Sequence, residues 1–164
     1  MGKQLPCEWR RLRCHIALYA ALAFVTAFCG ILLWVNGTAA PIVFHTAVIP
    51  WAVFGLSGHF VVWLVLYAHF GWLVGMLLTV PGMPYALPSL AVIAYTLCLA
   101  WYPVFFSFWH TVFALCLLIA ATCLCILLSI RVLRHSILCF LCAIPVVILE
   151  VYFMVWTVMF IVSN

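Results

Sequence analysis

Charge is what this sequence has least of. Six of its 164 residues are Lys or Arg and two are Asp or Glu, so only 5% of the chain is charged. A water-soluble domain carries roughly a quarter of its residues as charged side chains. Eight such residues cannot cover a surface of this size, and 71% of the chain is hydrophobic. The alternating segments of ~10 residues that build a membrane β-barrel are missing as well. So are internal repeats, a glycine-rich phosphate loop, a nucleophile–base pair and a metal-ligand constellation. These absences point away from conventional catalysis, a metal centre and a nucleic-acid partner.

What is present is a series of long uncharged runs. They reach the ~20 residues that a helix needs to cross ~30 Å of hydrocarbon. The pattern predicts an all-α integral membrane protein, a bundle of five transmembrane helices in one domain over residues 1–164. The spans fall at about residues 15–35, 42–68, 85–108, 111–130 and 136–162. The first ends at the turn-like Asn36-Gly37-Thr38, the second holds Pro50 and His59, and the fifth holds Pro145. Between spans two and three, Phe70–Val80 is apolar but too short to cross alone. It reads as an interfacial segment or an extension of span two.

The cations test this count separately. Lys3, Arg10, Arg11 and Arg13 precede span one, while Arg131 and Arg134 lie between spans four and five. Five spans place all six on one side, as the positive-inside rule expects, and a sixth span at residues 70–80 would split them. A signal peptide can begin the same way, with basic residues before an apolar run. Here Pro41 is a poor neighbour for cleavage after Thr38-Ala39-Ala40, and a retained anchor is expected.

Glu150 is the only acid in any span. A charge at mid-span costs at least ~2.5–3.5 kcal/mol on insertion scales, so this carboxyl is protonated or paired inside the bundle. It is a candidate ligand contact or proton-handling group, with helix packing as the plain alternative and His59 as its natural polar partner. His45 and His59, fourteen apart, share nearly one helix face, but haem ligation would need a matching pair on another helix. Most of the nine cysteines sit within spans, where Cys packs as a small apolar residue. Cys139-Phe140-Leu141-Cys142 is a C-x-x-C, a spacing that supports quinone-linked thiol redox chemistry. Such chemistry also needs a second Cys pair in an exposed loop, and these connections have none. Trp9, Trp34, Trp72 and Trp109 suit an interfacial belt, whereas Trp51, Trp63, Trp101 and Trp156 lie deeper. Deep aromatic surface with little charge suits a flat, greasy ligand.

The stretch Leu99-Ala100-Trp101-Tyr102-Pro103-Val104-Phe105-Phe106-Ser107 resembles the third-span signature of the translocator protein family, also called tryptophan-rich sensory proteins or peripheral-type benzodiazepine receptors. The likeness continues through Phe113-Ala114-Leu115 to Ala120-Ala121-Thr122, and Pro50 and Pro145 stand where the family has prolines. It covers roughly residues 45–160. The sequence departs from the family at Leu149, where a Trp is usual, near Thr157, where an Asn is usual, and at Phe113, in place of Trp. No cation follows Tyr152, so the family's C-terminal sterol motif is absent.

The resemblance implies binding of a porphyrin or other tetrapyrrole, or a sterol, in a pocket between helices, for transport or sensing. The pocket residues it implies are Trp51, Trp101, Pro103, Phe113, Leu149, Phe153 and Trp156, with Glu150 as the polar handle. No cofactor is required beyond a bound porphyrin, haem or sterol, and no catalytic residue is assigned. The partners implied are membrane lipid, a small lipophilic ligand and a second copy of the chain, and the membrane is mitochondrial. A light- or oxygen-dependent porphyrin conversion in some of the family leaves an enzymatic role open. The contrasting reading is a non-catalytic accessory subunit of a larger membrane assembly, such as a respiratory complex.

Overall fold

The computed structural model describes the backbone of residues 7–38 and 55–164, and the side chains of residue 12 and residues 14–33 and 61–164. Its described residues form five helices: α1 (Cys7–Thr38), α2 (Gly55–Thr79), α3 (Ala86–Phe106), α4 (Thr111–Leu133) and α5 (Ile137–Ser163). Each is long and apolar enough to cross a membrane. The chain is an all-α, five-helix membrane protein. In hydrocarbon every backbone N–H and C=O must be satisfied within the segment, which is why uncharged runs of this length become helices.

Two sequence expectations change. Asn36-Gly37-Thr38 does not stop the first helix, since α1 runs through it to Thr38. A turn signal is weak where lipid leaves the backbone no partner but its own helix. The segment Phe70–Val80 is an extension of span two, because α2 continues to Thr79. Residues 42–54, including Pro50 and Trp51, lie outside the described residues, so the start expected for span two is not compared.

The glycines of this extension are contact points. Gly71 and Gly75 sit four apart and face α1. A Cβ at Gly71 would lie 2.5 Å from Ala20 O and Ala21 Cα, and one at Gly75 would overlap Ala17 Cα. Small residues at this spacing let two helix backbones approach closely, a main source of helix association in lipid.

The helices neighbour one another in the order α1, α2, α5, α4, α3, and α2 also touches α3 across the middle. Phe24 meets Tyr95 and Phe28 meets Tyr102, so α1 and α3 run parallel. Leu12 and Ile16 line a groove with Val80, Pro81 and Tyr85, beside the α2–α3 turn where Gly82 has φ 76°. At the same end Leu73 and Leu77 pack with Leu128, Val132, Cys139 and Ala143. The start of α1, the α2–α3 turn and the α4–α5 turn therefore share one end of the bundle. Arg131 and Arg134 lie there, together with the N-terminal cations.

Polar side chains within the spans are mostly satisfied inside their own helix. Thr26, Thr96, Thr122, Ser129 and Thr157 each donate to the carbonyl four residues earlier, at 2.8–2.9 Å. A carboxyl cannot do this, and the exception among the span residues is Glu150.

Candidate functional site

Three helices place one residue each at matching depth around Glu150. Tyr67 lies midway along α2, Cys98 just past the middle of α3 and Glu150 midway along α5. Cys125 completes the set from α4. The Cys98 thiol donates to Glu150 Oε1 at 3.0 Å, and the Cys125 thiol donates to the same oxygen at 3.4 Å. Tyr67 donates to the carbonyl of Cys98 at 3.0 Å and lies within electrostatic reach of the carboxyl. Glu150 is fully buried, and its second oxygen, Oε2, has no partner among the described residues.

One turn further from the basic end lies an aromatic layer. It forms because each polar residue has an aromatic three or four positions away on the same helix face: Trp63 for Tyr67, Trp101 for Cys98, and Phe153 for Glu150. Trp63 stacks on Phe153 with ring centroids 3.7 Å apart, and on Trp101 at 4.9 Å. Phe105, Trp156 and Phe160 continue the stack, with Trp101–Phe105 at 4.9 Å and Trp156–Phe160 at 5.7 Å. Phe28 of α1 closes one side, 4.4 Å from Tyr67. The indole N–H groups of Trp63 and Trp101 are buried with no partner among the described residues.

The arrangement is therefore a polar layer at mid-membrane under a layer of flat rings. A buried polar atom without a partner costs roughly 1–3 kcal/mol. Three of them in adjoining layers, in a chain that otherwise satisfies its polar groups locally, call for a reason beyond packing. The rings are in contact with one another, so a flat ligand enters by parting two stacked faces. It then replaces ring–ring contact with ring–ligand contact of the same kind.

Trp101, Glu150, Phe153 and Trp156 are buried together, as the sequence suggested. Leu149 is half-buried against the same cluster. Pro103 is half-buried in the last turns of α3, where its carbonyl accepts from the N–H groups of Ser107 and Phe108. Phe113 is a correction. It is 57% exposed on the outside of α4, away from these rings. The inward stripe of α4 runs Ala114, Leu118, Ala121, Cys125, Leu128 and Val132, and Phe113 lies a helical step away from it. Trp51 lies outside the described residues, as does the side chain of His59.

Sequence reasoning missed the partners of Glu150, which are two thiols rather than an imidazole among the described side chains. It also passed over Trp63 and Tyr67 as site residues. Their spacing with Phe70, at i, i+4 and i+7, marks one face of α2 and was the available signal. In the C-x-x-C, Cys139 is buried in the second core cluster, while Cys142 half-faces a groove with His69, Trp72 and Pro145. All eight described cysteines are free thiols. Comparison of the chain with protein-family models, curated proteins and solved structures finds no match.

Proposed function

We propose that this protein binds a flat lipophilic ligand between α2, α3 and α5, with Trp63, Trp101, Phe153 and Trp156 as the stacking surface and Glu150 as the polar contact. One observation carries the reading: Glu150 Oε2 and the Trp63 and Trp101 indole N–H groups are buried without partners beside a continuous ring stack. A ligand with a flat apolar body and a hydrogen-bonding group would use both layers at once. Tetrapyrroles and sterols are the classes that the resemblance of Trp101–Ser107 supplies, and a mitochondrial membrane is the location it supplies. Transport and sensing are the two roles open to such a site.

Tryptophan fluorescence tests this directly. Titrating the purified protein with a porphyrin should quench the emission saturably, because two of the eight tryptophans lie in the stack beside the bound ring. Trp101→Phe keeps a ring but removes the N–H, and should weaken binding about threefold, the ~0.7 kcal/mol of a modest hydrogen bond. Sterol competition against the porphyrin should displace it. Non-saturable quenching, unchanged by Trp101→Phe, would reduce the stack to helix packing.

A further inference from the structure

Resting on that reading, we infer that the ligand is a flat lipophilic cation and that its binding displaces the proton of Glu150. The inference comes from what surrounds the carboxyl. The titratable groups facing it among the described residues are Tyr67 on α2, Cys98 on α3 and Cys125 on α4. None of them carries a positive charge. Both thiols donate to Oε1, which leaves Oε2 bare. In the empty site the acid keeps its proton, because ionising it would leave a poorly compensated charge at mid-membrane.

The choice of side chain narrows the ligand class. A neutral hydroxyl needs only an amide to meet it, and Asn or Gln would provide that without a titratable group in the span. An anionic group would be repelled once the carboxyl ionises. A cation makes the ionised layer neutral, and it also suits the adjoining layer. The faces of Trp63, Trp101 and Phe153 present the negative side of their quadrupoles, and Trp is the strongest of the aromatic residues in binding a cation over its face. An aromatic stack beside a half-satisfied carboxyl is the recognition chemistry of a lipophilic ammonium or a ring-borne quaternary nitrogen.

The exchange balances simply. The Glu150 O–H bond breaks, its proton passes to water, and the carboxylate takes the cation as counter-ion. The layer is neutral before and after. One proton leaves for each cation bound, so apparent affinity falls about tenfold for each pH unit of acidification while the free acid is protonated.

The test uses a matched pair of probes on the full-length protein in lipid nanodiscs, read by tryptophan quenching. N-methylacridinium is a flat permanent cation, and acridine above its own protonation range is the neutral counterpart. The cation should bind at least tenfold tighter than acridine, with the pH slope just given. Glu150→Gln should abolish both the preference and the slope while acridine still binds. Equal affinity for the two probes, or a pH-independent cation affinity in the wild-type protein, overturns the inference, and this arm needs no folded variant. If acridine binds and Trp101→Phe weakens it while the cation does not bind, the charge inference fails and the flat-ligand reading stands. If neither probe quenches saturably, both fail together.

Discussion

The α1–α2 seam and the α2–α3–α5 core hold helices together by opposite means. At the seam, Gly71 and Gly75 bring the α2 backbone against Ala17, Ala20 and Ala21, and no polar side chain takes part. In the core, rings of 3.7–6 Å separation fill the space, and a carboxyl lies buried beneath them. Lipid tails are as apolar as leucine, so neither region gains from hydrophobic burial as a soluble core would. The seam is complete as packing: every atom has a neighbour of the right kind. The core is not, because Glu150 Oε2 and two indole N–H groups are left over. A region that packs without remainder is structural, and a region with a remainder carries the function.

Gly75→Leu should give the largest effect. Its side chain would have to push the α1 backbone aside, at a cost of about 3 kcal/mol, near the upper end of ordinary overpacking. Unfolding in mixed detergent micelles measures it, and a change under 1 kcal/mol would mean that the seam is loose.

Glu150→Leu sharpens the contrast from the other side. Replacing a buried ionisable group by an apolar one of similar size is often neutral or stabilising. The variant should therefore stay within ~1 kcal/mol of the parent stability and lose at least tenfold in ligand affinity, ~1.4 kcal/mol. Unfolding of this variant, together with unchanged affinity in Glu150→Gln, would move the carboxyl to the packing side of the comparison.

The smallest effect is expected for Cys139→Ala combined with Cys142→Ala. Cys139 is buried in the second cluster, so the double variant should lose about 1 kcal/mol or less from the vacated space. Ligand binding should not change. Loss of a quinone-linked redox activity in that variant would favour the thiol chemistry over the ligand reading.

Much of this was legible in the sequence because membranes simplify the code. Uncharged runs marked the helices, and one acid among them marked the middle of the site. The rest depends on which helices adjoin. Cys98 and Cys125 read as apolar packers until α3, α4 and α5 are seen to surround a common point. Gly71 and Gly75 looked like punctuation in a loose segment, since glycine lowers helix propensity in water. In lipid the same residue permits close approach, and the segment belongs to α2. Phe113 was assigned inward by family likeness, whereas the spacing Ala114, Leu118, Ala121 and Cys125 turns another face of α4 to the core.

Photo-crosslinking tests the central claim most directly. A flat lipophilic probe carrying a diazirine would be activated on the protein in nanodiscs and the modified peptides identified by mass spectrometry. Competition with unlabelled ligand would separate specific sites from lipid-facing background. The account predicts competable labelling on three peptides, those holding Trp63–Tyr67 of α2, Cys98–Phe105 of α3 and Glu150–Trp156 of α5. The largest open groove, about 520 Å³ beside Leu12, Leu77, Pro81 and Tyr85, is the natural rival. Competable labelling confined to that groove, with the three core peptides untouched, would contradict the account.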